Sequence, residues 1–381
     1  MRKLLCLFLA LSSFLLCSCN TSGGEDIVKY AATQKDIDHL EKMYAGRTLF
    51  FGEAHDHANT GGNSDGSQDL NTWIAGMDEL NMDFAAIVDH RQSSHMSLEL
   101  WKKGCFIGGS EAATTITDSS ATKKNLHYNM LFTDQEAFAR VLQSDASYKY
   151  DPETTFFSYP HFTTLQFKAL IQKIKDEGGM FVHVHPKSNG YMASDNPAAY
   201  WFADETGLEV FVGFSEHAVG GADTKKNYKL WTDLLYLGAR VWATAGSDSH
   251  NMPNTNALTA IYAEEKTPES LFSHMRVGDF APGFAGIRMT IGNTMMGSSC
   301  SFSGQRLVFS TGPFHESILK DHSGFQVVLF EGNREAFREN IDHTKTTYFA
   351  YDCSPTAKYY RVEIQDNGGN PIALGNPIWL D

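Results

Sequence analysis

Cysteine is scarce in this sequence, and basic residues are outnumbered by acidic ones. Six cysteines occur among 381 residues, three of them within the first nineteen positions, so the chain is not a disulfide-scaffolded domain. Lys and Arg total 31 against 45 Asp and Glu, which gives a formal charge of −14. Because a protein that wraps nucleic acid needs a basic surface, we expect no nucleic-acid polymer as a partner.

Several familiar motifs are also missing. No Gly-x-Gly-x-x-Gly follows a predicted strand and no P-loop is present, which argues against nucleotide binding by those routes. No serine lies in a nucleophile-elbow pattern. What the chain does have is a large apolar fraction of 42%, with 12% aromatic residues, which excludes a disordered, fibrous or polytopic membrane protein. Its length suggests two domains, or one large barrel with an appendage.

The first nineteen residues read as a targeting segment. Arg2 and Lys3 precede an apolar run over 4–16, which is too short to span a bilayer. The following Leu16-Cys17-Ser18-Cys19 resembles a bacterial lipobox, which implies cleavage before Cys19 and a lipid on its thiol. Ordinary secretion after nearby cleavage is the alternative. We therefore expect a signal peptide over 1–18, a polar tether over 19–35 and a lipid-anchored protein of the cell envelope.

Without the cations of the leader the formal charge becomes −16, and three cysteines remain beyond Cys19. Of these, Cys300 and Cys353 are the more plausible disulfide pair, because both lie in the C-terminal region. That region, 284–381, has short alternating apolar runs separated by turn clusters, as over 306–310, 324–330 and 359–364. The pattern predicts a small C-terminal β-sandwich.

Residues 36–283 show a different pattern, in which apolar strands alternate with amphipathic helices. We predict strands over 48–51, 84–88, 105–107, 180–182, 208–212 and 240–244, and helices near 69–82, from 164 to a Gly178-Gly179 stop, and over 226–237. Continuous apolar strands joined by helices indicate a parallel sheet covered on both faces. The number of units predicts an α/β fold with a closed or distorted barrel.

Ligand-type side chains follow the strands of this barrel. They are His55-Asp56-His57, Asp89-His90, Glu111, His183 with His185, and Asp248-Ser249-His250. Each pair alone has an ordinary explanation, such as an exposed strand end or a helix cap. In a parallel barrel, however, the C-terminal strand ends converge on one face. The sequence therefore predicts one shared site for several metal ions.

Taken in order, these motifs resemble those of the PHP (polymerase and histidinol phosphatase) superfamily. The residues that carry the resemblance are His55-x-His57, Ser64-Asp65-Gly66, Asp89-His90, Glu111, His127, His185-Pro186 and Gly246-Ser247-Asp248-Ser249-His250. The resemblance covers nearly all of 48–280. It implies a distorted (β/α)7 barrel and a centre of two or three divalent transition metals, zinc, manganese or iron. The ending 375–379 is similar to that of envelope members with an added β-sandwich.

The resemblance also implies a ligand set. The first metal would take His55, His57, Glu111 and Asp248; Glu111 would bridge to a second metal held by His127 and His185; the third would take Asp65, His90 and His250. The eight-residue step from His57 to Asp65 is longer than the family's usual spacing. Asp69 is therefore an alternative ligand to Asp65. A second alternative is that the third metal is absent. We interpret His183, Glu209 and Asp89 as groups that orient ligands.

This set of residues suits hydrolysis of an anionic substrate. Mixed imidazole and carboxylate ligands favour zinc, manganese or iron over calcium or magnesium. A metal-bound hydroxide would be the nucleophile, and three dications would outweigh three ligand carboxylates and attract a phosphate. Arg91 and Lys187 are candidates to grip a phosphate oxygen, with solvated surface charges as the alternative. His217 is a candidate proton donor to the leaving group, although a loop histidine is more often uninvolved.

We therefore predict an envelope-anchored metal-dependent phosphoesterase that acts on a small phosphomonoester or phosphodiester. One alternative is that the same metal centre hydrolyses an ester or amide bond instead of a phosphate ester. The other alternative is a non-catalytic surface-binding lipoprotein in which the barrel is a relic.

Overall fold

The computed structural model describes residues 30–381 except 63, 93–95, 97–98, 119–125, 188–193 and 215. The predicted signal peptide, Cys19 and most of the predicted tether lie outside the described residues. Among the helices of the described part of the chain, none is long and apolar enough to cross a bilayer.

The N-terminal two thirds of the chain contain one large sheet of ten strands. These are β1 (Thr48–Asp56), β2 (Phe84–Ile87), β3 (Phe106–Ile116), β4 (Leu126–Phe132), β5 (His161–Phe162), β6 (Met180–His183), β7 (Thr206–Val212), β8 (Val241–Gly246), β9 (Thr259–Ala263) and β10 (Ala281–Pro282). Nine of them follow one another in the order β10-β9-β1-β2-β3-β4-β6-β7-β8, and β5 pairs with β3.

The sheet is mixed and nearly closes into a barrel. The pairs β1–β2, β2–β3, β6–β7 and β7–β8 are parallel, whereas β3–β4, β4–β6 and β1–β9 are antiparallel. At the C-terminal end of β1, the segment that follows β8 closes the ring through hydrogen bonds from Asp248 N to His55 O (2.9 Å) and from His57 N to Ser249 O (2.8 Å). The predicted α/β barrel is thus present as a mixed sheet rather than as a regular parallel repeat.

Among the residues that the structure describes, seven helices precede or alternate with the strands of this region, and all but α1 cover the large sheet. They are α1 (Gln34–Met43), α2 (Leu70–Glu79), α3 (Glu99–Lys103), α4 (Gln135–Gln143), α5 (Thr164–Asp176), α6 (Ala222–Leu237) and α7 (Pro268–Met275). Thr163 begins α5 with a capping box, and Asp69 caps α2 by accepting a hydrogen bond from Thr72 N. Gly238 ends α6 in the left-handed region at φ 97°, where glycine is favoured over residues with a side chain.

Two strands of the barrel differ from the sequence-based expectation. The third strand was expected to end at 107, but β3 continues to Ile116, so Glu111 lies in the middle of a strand rather than beyond its end. The antiparallel strand β4 was not predicted. Because β3 pairs with β4 along seven residues, the extra length of β3 is stabilised by the backbone hydrogen bonds of that ladder.

The C-terminal region forms two all-β sheets. Its elements are β11 (Ala285–Ile291), β12 (Thr294–Met295), β13 (Ser299–Cys300), β14 (Arg306–Phe314), α8 (Glu316–Leu319), β15 (Phe325–Glu331), β16 (Arg334–Ile341), β17 (Thr347–Asp352), β18 (Tyr359–Asp366), β19 (Pro371–Leu374) and β20 (Ile378–Leu380). One sheet has the order β12-β11-β14-β17, and the other has β13-β20-β18-β15-β16 with β19 beside β18. The stacked rings of Phe309 and Phe337, 6.1 Å apart, join the two sheets.

Residues at the start of the described part of the chain contact the C-terminal sheets. Tyr30 stacks on Phe337 at 4.3 Å and Ala31 pairs with Phe349, so these residues contact the C-terminal sheets. The helix α1, which was assigned to the barrel, packs through Leu40 against Val308 of β14. From the C-terminal region, the buried Asn376 accepts a 2.8 Å hydrogen bond from Ala243 N within β8. The two regions therefore share an extensive interface.

The expected disulfide is not formed in the structure. Cys105, Cys300 and Cys353 are all free thiols. Cys300 lies in β13 and pairs with β20 of the six-stranded sheet, whereas Cys353 follows β17 of the four-stranded sheet. The two thiols are nevertheless neighbours, because Cys300 contributes to the raised pKa of Cys353, so the prediction located the two side chains near each other but not the bond.

Candidate metal centre

The structure brings all nine predicted ligand residues together at one end of the barrel. His55 lies in β1, Glu111 in β3 and His127 in β4, while the other six follow strand ends: His57 and Asp65 after β1, His90 after β2, His185 after β6, and Asp248 and His250 after β8. Their side chains form three groups in which the potential donor atoms lie within 4.8 Å of one another. The groups are His55, His57, Glu111 and Asp248; Glu111, His127 and His185; and His57, Asp65, His90 and His250.

Glu111 is the residue that joins the first two groups. Its Oε1 lies 2.6 Å from His127 Nδ1 and 3.0 Å from His185 Nε2. Its Oε2 lies 3.3 Å from His55 Nε2 and 3.2 Å from His57 Nε2. His90 Nε2 also lies 3.3 Å from Oε2. The two oxygens of one carboxylate thus face different sets of imidazoles, which is the arrangement required of a bridging ligand.

The pairing of β3 with β4 explains why Glu111 and His127 meet. Glu111 is directly opposite Asn129, and Ala113 is directly opposite His127. Directly opposed residues of an antiparallel pair project to the same face, as do residues two apart on one strand. Glu111 and His127 therefore share the inner face of the sheet. Pattern reasoning did not find this strand, and His127 was named only through the family resemblance.

The third group is more open than the first. Asp65 Oδ2 lies 3.4 Å from His250 Nε2 and 3.6 Å from His90 Nε2, while Asp65 Oδ1 lies 3.3 Å from His57 Nδ1. The Asp65 side chain is 34% exposed, compared with 1% for Glu111. The alternative, Asp69, is used as the N-cap of α2. Of the two aspartates, Asp65 is the one beside the histidines.

Glu209 holds two of the histidines in place. Its Oε1 lies 3.0 Å from His55 Nδ1, and its Oε2 accepts a 2.7 Å hydrogen bond from the His185 backbone N–H. Asp89 acts on the loop after β1, where it accepts hydrogen bonds from Ala58 N at 2.8 Å and from the Thr60 hydroxyl. Both carboxylates therefore lie outside the three groups and orient what surrounds them.

His183 does not face the centre, contrary to our expectation. It pairs with Tyr128 of β4, so its side chain lies on the opposite face of the sheet from Asn129 and Glu111. Its ring stacks on Tyr200 at 5.9 Å. Burial, together with the positive charges of His185 and His127, lowers the pKa of His183 to about 3. The two histidines diverge because β6 ends at His183 and His185 adopts a left-handed backbone with φ 31°.

Asp248 also has a left-handed backbone, with φ 52°. Non-glycine residues rarely occupy this region, and where they do the surrounding structure must hold them there. For Asp248 the backbone hydrogen bond to His55 O provides that restraint. Two of the nine candidate ligands are thus turned into the centre at an energetic cost, which is typical of functional sites.

The donor atoms fit a cation better than they fit one another. Asp248 Oδ1 and His57 Nδ1 are buried and make no well-aligned hydrogen bond within the described part of the chain, although Asp248 Oδ1 lies 3.0 Å from His57 Nε2. Burial opposes ionisation of Glu111, but His55, His90, His127 and His185 hold the pKa of this carboxyl well below its usual range. A buried, ionised carboxylate ringed by imidazole nitrogens is a donor set suited to zinc, manganese or iron.

Sequence reasoning missed a buried acid pair below the centre. Glu53 and Asp56 both accept hydrogen bonds from the Ser247 hydroxyl, that to Asp56 Oδ1 measuring 2.9 Å. Burial raises the pKa of Glu53 well above its usual range and that of Asp56 to about 6. The pair anchors Ser247, which directly precedes Asp248. Two acids inside an otherwise apolar strand were the signal that could have identified it.

Tyr159 was also missed, because it lies in a segment between strands. Its hydroxyl lies 2.9 Å from His90 Nδ1, which leaves His90 Nε2 directed towards Glu111 and Asp65. The Arg91 guanidinium lies over the Tyr159 ring at 5.4 Å, and the Arg91 side chain is exposed. The structure thus places Arg91 at the rim of the centre, beside the third group.

The other two predicted substrate-contacting residues have different surroundings. Lys187 donates a hydrogen bond to the Ser194 carbonyl (2.5 Å) and its ammonium lies over the Tyr200 ring, so it is already engaged. The ring of His217 stacks on Phe284 at 4.9 Å, and its titratable neighbours are His322 and Asp321 of the C-terminal region. None of the nine candidate ligands is among the described contacts of His217, so its predicted role as a proton donor has no geometric support.

Comparisons with known proteins give distant structural likenesses. No family model matches the sequence, and no curated protein matches it. A two-domain protein from Bacteroides vulgatus, described as containing a predicted PHP-like metal-dependent phosphoesterase, is similar with 13% identity and a TM-score of 0.42, over 88% of this chain and 96% of that one.

Two further solved structures are similar over shorter lengths. An amidohydrolase from Chromobacterium violaceum has 16% identity and a TM-score of 0.35, over 52% of this chain and 87% of that one. The lesion-specific endonuclease Q from Pyrococcus furiosus has 11% identity and a TM-score of 0.38, over 61% of this chain and 57% of that one. All of these TM-scores are below 0.5, so the function of this chain rests on its own residues.

Proposed function

We propose that this chain is a metal-dependent hydrolase that cleaves a small phosphate ester at three adjacent cation sites. The observation that carries the proposal is the position of Glu111, whose two oxygens face separate sets of histidines at 2.6–3.3 Å, two at Oε1 and three at Oε2. The resemblance of the motifs to the PHP superfamily supports the same activity.

The three groups of side chains would each hold one divalent ion. His55, His57 and Asp248 would hold the first and His127 and His185 the second, with Glu111 shared between them. Asp65, His90 and His250 would hold the third. When bound, such ions lower the pKa of water and neutralise the charge of a phosphate.

The protein's own contribution is to orient the ligands and keep water out of the deeper part of the centre. Glu209 and Tyr159 each occupy the Nδ1 atom of a histidine, His55 and His90 respectively, so that Nε2 is directed inwards. His55, His57 and Glu111 are almost fully buried, whereas Asp65 and His250 are about one third exposed. A substrate would therefore approach from the side of the third group.

Charge favours an anionic substrate at this position. The chain is acidic overall, yet three divalent ions would outweigh Asp65, Glu111 and Asp248 and make the centre locally positive. Arg91 is exposed at the rim and would add a cation beside the third group. Its guanidinium could pair with a phosphate oxygen.

Turnover of contrasting substrates tests the proposal. The purified chain, supplied with zinc, manganese or iron, should hydrolyse p-nitrophenyl phosphate, and inorganic phosphate should inhibit it. Turnover of aryl acetates or carbamates without turnover of the phosphate would identify an ester or amide hydrolase instead. Absence of any hydrolysis with all three metals would favour a non-catalytic binding protein.

We also propose that the chain is anchored to the cell envelope through Cys19. The support is the lipobox-like sequence Leu16-Cys17-Ser18-Cys19 after a short apolar run. Mass spectrometry of the protein from membranes should show an N-terminal diacylglyceryl cysteine at position 19. Release of the protein from membranes by Cys19→Ala, but not by Cys17→Ala, is the expected result.

A further inference from the structure

Phe214 is an exposed aromatic residue at the mouth of the candidate centre. It lies just after β7, at the same end of the barrel as the nine candidate ligands, and it is 58% exposed. It lines a cavity of about 400 Å³ together with Asp248, Ser249, His250, Asn251 and Asn254. One wall of this cavity therefore carries two of the candidate ligands, and another carries an aromatic ring.

The backbone that precedes Phe214 is held firmly. Gly213 N donates a 3.0 Å hydrogen bond to Gly246 O at the end of β8, and Gly213 O accepts one of 3.1 Å from Asn256 Nδ2. A Cβ atom at position 213 would lie 2.7 Å from Asn256 Cβ, so a glycine is needed for this close approach. The ring of Phe214 thus extends from a fixed point beside the centre.

The remaining walls of the cavity are polar and ordered. Asn254 Nδ2 donates to the Ser247 hydroxyl at 3.2 Å, and its Oδ1 accepts from Asn256 N at 2.8 Å. Asn251 Oδ1 accepts a 3.1 Å hydrogen bond from the Ser67 hydroxyl. The cavity therefore combines an apolar ring face, two amide side chains and the edge of the candidate metal centre. Ligand sites commonly have this mixture of a flat apolar surface and a few fixed polar groups.

We propose that Phe214 determines substrate specificity, and that the substrate is a phosphate ester of an alcohol that carries a planar aryl or heteroaryl ring. The phosphate would bind the cations that Asp248 and His250 help to hold, and the ring of the alcohol packs on Phe214. The inference rests on the proposed function, because it assigns the leaving group of that same reaction. An aromatic pair prefers offset-stacked or edge-to-face contact, either of which an open ring face allows.

In the reaction, the bond between phosphorus and the oxygen of the aromatic alcohol breaks and the oxygen of one water molecule bonds to phosphorus. The alcohol leaves with one proton of that water. Phe214 forms and breaks no bond in this step. Its contribution is to bind the leaving group, so its loss should act on KM and much less on kcat.

Kinetics with two substrates test the proposal. For 2-naphthyl phosphate, Phe214→Ala should raise KM about tenfold relative to the wild-type chain, which corresponds to about 1.4 kcal/mol. For ethyl phosphate, which has no ring, KM should change by less than about twofold. Phe214→Tyr keeps the ring and should retain the wild-type KM for both substrates. Leu165→Ala removes a residue that is 78% exposed in the first turn of α5 and should change neither.

The outcomes separate this inference from the function on which it rests. If the wild-type chain hydrolyses neither phosphate, the proposed function fails. If the wild-type chain is active but Phe214→Ala leaves KM for 2-naphthyl phosphate unchanged, or raises both KM values equally, the assignment of Phe214 is overturned. Phe214→Leu, which keeps an apolar side chain of similar size, replaces the alanine variant if the latter does not fold, and it should lose the same preference for the ring.

Discussion

Glu209 Oε1 lies 3.0 Å from His55 Nδ1, deep in the barrel and almost fully buried. The other oxygen of Glu209 accepts a 2.7 Å hydrogen bond from the backbone of His185. One carboxylate therefore sets the ring orientation of a histidine in the first group and the backbone of a histidine in the second. Carboxylates that hold a metal-ligating histidine in this way usually matter for metal affinity.

Replacement of Glu209 should weaken metal binding without unfolding the chain. In Glu209→Gln the side chain keeps its shape but loses its charge, so His55 Nδ1 has a poorer acceptor. We expect the affinity for zinc to fall about 10- to 100-fold, measured by competition with a chelating indicator. Glu269→Gln makes the same change of charge at an exposed position in the first turn of α7 and should leave the affinity unchanged. Equal affinities for both variants would contradict an orienting role for Glu209.

Gly246 should be required for the same contact. A Cβ atom at this position of β8 would clash with Glu209 Oε1 and with His55 Cβ. Gly246→Ala should therefore separate the two side chains and lower both bound metal and hydrolysis by at least about tenfold. Gly332→Ala is the control, because its left-handed backbone (φ 59°) makes alanine unfavourable but no atom of the described residues lies within 4 Å of the added atom. It should reduce thermal stability slightly while metal content stays at the wild-type level.

His183 and His185 should respond differently to the same substitution. His185 Nε2 faces Glu111, whereas the His183 ring packs against Tyr200. We expect His185→Gln to lose at least one bound metal and to reduce kcat by about a hundredfold or more. His183→Gln should retain metal and most of the activity. If both variants lose metal equally, the orientation that the structure gives His183 is wrong.

The sequence predicted the location of the centre better than its construction. Aligning the strand ends correctly indicated that His55, His90 and Asp248 would meet, because parallel strands carry their C-terminal ends to one face. That rule cannot describe Glu111 and His127, which lie within a long antiparallel pair. The pairing of β3 with β4 depends on contacts between segments that local apolar patterns do not reveal.

Side-chain direction was the other source of error. Residues two apart in a strand share a face, which led us to place His183 beside His185. However, β6 stops at His183, and the left-handed backbone of His185 turns its side chain to the other face.

The packing of α1 was a separate error. This helix comes early in the sequence but packs on β14, near the other end of the chain. Such long-range packing choices are made by tertiary contacts and not by local propensity.

The pH dependence of stability should include a contribution from His274, which is remote in sequence from the candidate ligands. Burial opposes its protonation, but its ring contacts with Asp279 Oδ2 (3.1 Å) and Glu264 Oε2 (2.9 Å) outweigh burial and raise its pKa. A raised pKa in the folded state stabilises the protein fully below the unfolded pKa, and this stabilisation is lost as the pH rises through the folded pKa.

The variant His274→Gln should therefore be less stable than wild type by on the order of 1 kcal/mol at pH 6, with a smaller difference at pH 9. Urea unfolding followed by circular dichroism at the two pH values measures both differences. Lys266→Gln, which removes an exposed cation that pairs with Asp83, should show no such change between the two pH values. A difference that grows from pH 6 to pH 9 would contradict the assignment.

The number of metal ions bound per chain tests the central claim most directly. Wild-type protein equilibrated with zinc or manganese and freed of excess metal should contain two to three ions per chain by elemental mass spectrometry. Glu111→Ala, which removes the carboxylate shared by the first two groups, should lower that number by at least one. Fewer than one tightly bound ion per wild-type chain, with either metal, would show that these nine side chains do not form the centre proposed for them.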